Sequence, residues 1–280
     1  MTSRTASARL PFEGVDLAYD VTGEGPLIVC LPGMGDLRSA YRHLAPLLVE
    51  RGLRVAALDL PGHGDSDAPA EPIVSQRAIA RAGVALVERL GGPAIVVGHS
   101  YTPDSALLAT QLAPDAVVGA VALAPWASAP AASPAMRAAT RLVTRTPWAW
   151  SLFYRSLHES APADLAAHRR RIVASLRRPH GTAALAAMGA GTAKDALDVR
   201  GRQSAPVTVV MGERDPDFRD PVAEARAYAS AMPAGVAEVR MVPGAGHYPH
   251  AERPGQTADA VVALAHGLGL VDGPARAPRA

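Results

Sequence analysis

The chain has one cysteine, three phenylalanines and very little lysine beside its arginines. A single thiol closes no intrachain disulfide, which fits a reducing compartment and a cytoplasmic protein. Cys30 sits in the apolar run Leu27-Ile28-Val29-Cys30-Leu31, where a thiol behaves as an inert small hydrophobe. No apolar run approaches the length of a membrane span, and residues 1–9 lack the apolar stretch of a secretory signal. Charge of either sign is not in excess: 28 basic and 26 acidic residues leave a net +2. A nucleic-acid partner would need clustered basic residues, and none is expected here. The one basic run, His168-Arg169-Arg170-Arg171, falls in a helical pattern and reads as a solvated helix face. No histidine or cysteine pair has zinc-ligand spacing, and no dinucleotide fingerprint follows a strand, so neither metal nor cofactor is expected. The scarcity of lysine is a compositional bias with little chemical meaning.

What is present is a regular alternation. Short apolar or alternating runs predict strands over 9–12, 15–21, 27–31, 54–58, 94–97, 117–123, 206–211 and 237–242. Helical spacing fills the gaps over 39–51, 76–90, 101–112, 222–231 and 256–268. Strands and helices in that order imply a mostly parallel sheet covered on both faces. About eighty residues between the sixth and seventh strands carry helical patterns only, over 134–145, 147–157, 162–178 and 182–190. A stretch of that length is better read as a helical lid than as a loop. The resulting division is a core of 9–125 and 204–272, a lid of 126–203 entered through the Ala- and Pro-rich stretch 127–134, and tails at 1–8 and 273–280.

The chemistry is concentrated at strand ends. Gly98-His99-Ser100-Tyr101-Thr102 follows an apolar strand and precedes a helix, the setting of a nucleophile elbow that exposes a serine hydroxyl. An N-cap serine is the structural alternative. Thr102 stands where such turns commonly have glycine, which predicts a tighter or slightly displaced turn. A serine needs a base and an orienting acid. Asp215, in Gly212-Glu213-Arg214-Asp215-Pro216-Asp217, leaves the seventh strand and is placed to accept an imidazole N–H; Glu213 and Asp217 are its rivals. His247, in Gly244-Ala245-Gly246-His247, has glycines that let a loop bring the ring over the serine; His250 is its rival, with a surface role as the alternative. The other histidines read as surface or packing residues, with His99 pointing away from the nucleophile. An anionic intermediate also needs backbone donors. Tyr101 offers one N–H, and Met34, in the glycine-rich turn Pro32-Gly33-Met34-Gly35, offers another.

With Leu31-Pro32-Gly33-Met34-Gly35, Asp59-Leu60-Pro61-Gly62-His63-Gly64-Asp65-Ser66, Gly98-His99-Ser100-Tyr101, Gly212-Glu213-Arg214-Asp215 and Gly246-His247 in order, the chain resembles the α/β-hydrolase superfamily over nearly its whole length. The resemblance implies an eight-stranded sheet whose second strand runs antiparallel, with a helical lid after the sixth. It also implies Ser100, Asp215 and His247 as a triad, with Met34 and Tyr101 as oxyanion donors; Pro32 stands where many members have histidine.

Trp126, Trp148, Trp150, Phe153 and Tyr154 gather five of the twelve aromatics in the first part of the lid. They read either as lid core or as an apolar wall over the serine, with Met136, Leu152 and Met188 beside them. Phe218 and Tyr248 adjoin the acid and the base and are placed to line the same cavity. Trp126, Trp148, Phe153, Phe218 and Tyr248 are therefore the candidate substrate contacts. In the family a serine nucleophile argues against haloalkane dehalogenases and epoxide hydrolases, which use aspartate. Hydrolysis of an ester, thioester or lactone of a small, mostly apolar molecule leads. Carbon–carbon bond hydrolysis, cofactor-free perhydrolysis and a ligand sensor that signals to a protein partner share the same residues.

Overall fold

The computed structural model describes residues 5–128, 133–190 and 199–271. In chain order its strands and helices are β1 (Ala6–Phe12), β2 (Val15–Thr22), β3 (Leu27–Leu31), α1 (Leu44–Glu50), β4 (Arg54–Leu58), α2 (Gln76–Leu90), β5 (Ala94–His99), α3 (Pro103–Leu112), β6 (Val117–Leu123), α4 (Pro134–Arg145), α5 (Pro147–Ser156), α6 (Leu165–Leu176), α7 (Gly181–Gly189), β7 (Val207–Gly212), α8 (Pro221–Ser230), β8 (Ala237–Val242), α9 (Pro249–Glu252) and α10 (Pro254–Gly267). The eight strands form one sheet in the order β1-β2-β4-β3-β5-β6-β7-β8. β2 pairs antiparallel with both neighbours, and every pair from β4 to β8 is parallel.

The central strands are apolar without alternation because both faces are covered. Val29 and Val96 point into the layer beneath α2, α3 and α8; Ile28, Cys30, Ile95 and Val97 point into the layer beneath α1 and α10. Each such valine or isoleucine taken fully from water contributes roughly 1.5–3 kcal/mol before entropy is counted. Cys30 is completely buried, and desolvation pushes its thiol far above its ordinary range, so it stays protonated and unreactive.

Several boundaries differ from the sequence reading for local reasons. β1 begins at Ala6, inside the stretch read as a tail, because Ala6 to Ala8 pair with β2 while exposing every side chain. The expected helix 39–51 divides into a 3-10 turn (Arg38–Arg42) and α1. Pro46 has no N–H and its ring opposes the carbonyl four residues back, so the helix restarts with Pro46 in its first turn. α6 starts at Leu165, with Asp164 at its N-cap. The basic run at 168–171 is not uniformly solvated: His168 is buried against Asp36, and Arg169 binds Ser151, while Arg170 and Arg171 are exposed. The entry stretch at 127–134 lies partly, and the tail 273–280 wholly, outside the described residues.

Candidate active site

β5 ends at His99, and the next residue, Ser100, has φ +54°. A side-chain-bearing residue in the left-handed region costs energy and persists only where the surroundings hold it. Here they do. Ser100 N–H donates to the Leu123 carbonyl at the end of β6 (2.8 Å). A Cβ on Gly98 would strike the Thr102 carbonyl, so this position tolerates no side chain. Thr102 is fully buried and is used rather than merely accommodated: its Oγ1 accepts from His99 N–H (2.9 Å) and donates to the Leu31 carbonyl (2.9 Å). That hydroxyl ties the turn to the end of β3. α3 follows with Pro103 in its first turn, where a missing N–H is harmless.

The serine hydroxyl meets His247 Nε2 at 2.8 Å, and His247 Nδ1 meets Asp215 Oδ2 at 2.7 Å. Both His247 and Asp215 are buried. Of the three acids weighed, Glu213 is exposed and Asp215 makes the bond. Asp217 is not remote, however: its Oδ2 lies 3.6 Å from His247 Nε2, on the serine side of the ring. Burial raises the Asp217 carboxyl above its usual range. Burial works against charge on His247, but the carboxylates of Asp215, then Asp217 and Glu252, outweigh it and raise its proton affinity above the ordinary imidazole value.

His250, the rival base, makes no hydrogen bond to the serine and is not on the surface. It is completely buried and stacked on Tyr41 (centroids 4.9 Å apart), with neither ring nitrogen bonded among the described residues. Desolvation holds it neutral. His99 Nε2 lies 2.8 Å from the His247 carbonyl, which accepts its N–H. Burial, then the neighbouring His247, depresses its proton affinity to about 3.

The loop after β3 lies directly on the elbow. A Cβ on Gly33 would fall 2.7 Å from His99 Nδ1 and 3.2 Å from Ser100 Cβ, so glycine permits the approach that brings Met34 to this end of the sheet. Met34 N–H has no acceptor among the described residues. Tyr101 is buried, with its hydroxyl donating to the Val74 carbonyl (3.0 Å) and its carbonyl accepting from Gln76 Nε2 (2.8 Å), so its side chain serves the core.

The aromatic candidates separate. Trp126 and Phe218 pack together at 4.8 Å, and Phe218 lies 6.2 Å from the His247 ring. Tyr248 meets His247 edge-on at 5.4 Å but is itself buried. Trp148 is 64% exposed, and Phe153, Leu152 and Met136 are also exposed, so none of the four is buried as lid core. Trp150, two residues from Trp148 and therefore on the other side of α5, is buried instead. Sequence reading missed Asp36 and Glu252. Asp36 accepts from Leu37 N–H and Tyr154 Oη–H and faces His168. Glu252 receives the N–H groups of Gly246, Tyr248 and Ser160, bracing the histidine loop. Only its position five residues after His247 hinted at such a role.

An eight-stranded sheet with β2 reversed is a fold that known proteins share. A family model described as the alpha/beta hydrolase family matches residues 28–260. The chain belongs to this family. It is 34% identical over 101 residues to the pimeloyl-(acyl-carrier protein) methyl ester esterase of Methylococcus capsulatus, covering 36% of this chain and 37% of that protein. It is 30% identical over 90 residues to bifunctional epoxide hydrolase 2 of Mus musculus, covering 31% of this chain and 16% of that one. The matches therefore span well under two thirds of either relative. A thermophilic esterase from Thermogutta terrifontis shares the fold, with a TM-score of 0.77 at 22% identity over 94% of this chain and 99% of the other. As an alpha/beta hydrolase family member, the chain carries its candidate site at the C-terminal ends of parallel strands, where open α/β sheets place ligands. No helix among the described residues is long and apolar enough to cross a membrane.

Proposed function

We propose that this chain is a serine hydrolase acting on an ester, thioester or lactone of a small, mostly apolar molecule. The observation that carries the reading is the relay Ser100–His247–Asp215, with bonds of 2.8 and 2.7 Å and the serine held at φ +54°. In this reading Ser100 Oγ attacks the carbonyl carbon while its proton passes to His247 Nε2. Asp215 fixes the ring with Nδ1–H toward itself and stabilises the imidazolium. The Met34 and Tyr101 N–H groups bind the developing oxyanion. The imidazolium then protonates the leaving oxygen or sulfur, and water repeats the sequence on the acyl-enzyme.

The helices of 126–203 act as a lid, and the Trp126–Phe218 pair beside His247 supplies an apolar wall. The esterase among the relatives supports ester chemistry. A serine at position 100 does not fit the aspartate chemistry that the resemblance assigns to epoxide hydrolases. The test is Ser100→Ala, which should lower turnover of short acyl esters by about three or more orders of magnitude, as triad knockouts do. A fluorophosphonate should label the wild type at Ser100 alone. Unchanged turnover in the variant, or a label elsewhere, would sink the reading.

A further inference from the structure

We infer that helix α5 is a positioning element of the active site, holding the loop that offers Met34 at one end and the loop that carries His247 at the other. The inference rests on the proposed roles of those two residues.

Trp150, Tyr154 and Leu157 follow one another at helical spacings of four and three, so they form one face running past the end of α5; all three are buried. The exposed side of the same helix carries Trp148, Leu152 and Arg155. The buried face is not simply apolar packing, because each residue bonds a loop atom near the chemistry. Trp150 Nε1–H donates to the Gly35 carbonyl (3.2 Å). Gly35 has φ +65°, and a Cβ there would fall 2.6 Å from the indole, so ring and loop are matched in shape. Tyr154 Oη–H donates to Asp36 Oδ2 (3.0 Å), while Asp36 Oδ1 takes the Leu37 N–H (2.7 Å) and meets His168 of α6 (2.8 Å). Gly35 and Asp36 directly follow Met34, so these bonds set where its N–H points.

At the other end, the Leu157 carbonyl accepts His247 N–H (2.9 Å). A Cβ on Gly246 would fall 2.8 Å from that carbonyl and 2.7 Å from Glu159 N, which is why glycine precedes the histidine. His158 stacks on Tyr248 (4.4 Å, 11° between planes), and Tyr154 packs on the same ring at 4.7 Å. Neither Trp150 nor Tyr154 touches the reacting atoms. They act through the loops, and only a rate effect separates that role from ordinary packing.

Tyr154→Phe removes only the hydroxyl, whereas Trp150→Phe removes the indole N–H together with part of the bicyclic ring, so Tyr154→Phe is the cleaner test of one hydrogen bond. With a neutral acyl ester, each should lower kcat by roughly three- to tenfold, one hydrogen bond's worth, well short of the 10²–10³ lost with an oxyanion donor itself. KM should hold. Affinity for a boronic acid, whose tetrahedral adduct needs the same donors, should fall in step with kcat/KM. The acid limb of the pH profile should stay put, because His247 and Asp215 are untouched. Arg155→Ala on the exposed side should change none of these. Lowered thermal stability with kcat and boronate affinity intact would reduce the face to packing and overturn the inference. An acid limb displaced along with kcat would route the effect through His247 and overturn the assignment to the Met34 loop. Loss of turnover in Ser100→Ala alongside unaffected Trp150→Phe and Tyr154→Phe would remove this inference and leave the hydrolase reading standing.

Discussion

Asp217→Asn tests how far the second carboxylate governs His247, the proposed base. The change is isosteric and removes one negative charge 3.6 Å from His247 Nε2. A carboxylate at that range favours imidazolium, and His247 owes part of its raised proton affinity to it. Opposite charges at such distances move a pKa by about one to three units. The lower end applies here, because burial raises the Asp217 carboxyl and so weakens its mean charge, and Asp215 remains the closer partner. Removing the charge makes imidazolium less stable, so the neutral base persists to lower pH. The acid limb of kcat/KM for an uncharged ester should start above the ordinary histidine value of about 6.5 in the wild type and move down by about one unit in the variant. Linkage gives a second readout. A raised histidine stabilises the fold below its unfolded pKa, and that contribution disappears as pH rises through the folded value. The variant should therefore lose stability at acid pH and little at alkaline pH. A limb that stays or moves upward would refute the argument and show that Asp217 is neutralised or screened in the working enzyme.

His250→Ala should cost about 2–3 kcal/mol of stability through the cavity left against Tyr41, with fluorophosphonate labelling of the folded fraction retained; unchanged melting with abolished labelling would mean that the ring serves the chemistry. Trp126→Ala or Phe218→Ala should shift the preference between short and bulky acyl esters by roughly 10- to 200-fold, the worth of one or two methylenes in a pocket. A selectivity profile that does not move would place the acyl pocket elsewhere.

The parallel strands were legible because burial on both faces writes itself as runs such as Leu27 to Leu31. Ser100, Asp215 and His247 were legible because each follows a strand end, with Gly98 and Gly246 close before the serine and the histidine. Other features left no such trace. Ala6 to Ala8 join the sheet through backbone bonds while their side chains face water, so no hydrophobic pattern marks them. His168 looks like one more cation in a basic run, and its burial depends on Asp36, 132 positions away. Trp148 and Trp150 are equally aromatic on paper; only the rotation of α5 sends one to solvent and the other onto Gly35. Asp217 and Asp215 differ by two positions in one loop, and the path of that loop decides which carboxylate meets Nδ1 and which approaches Nε2.

The buried thiol of Cys30 has a practical consequence. A chain whose sole cysteine is sealed in the apolar layer beneath α1 and α10 is already silent toward thiol reagents while folded. A cysteine introduced on the solvent side of α5, at Arg155 for instance, would then be the only site that a maleimide dye or spin label can reach. Distances from it would report directly on whether that helix stays seated while the enzyme turns over, and labelling of Cys30 itself would signal global unfolding.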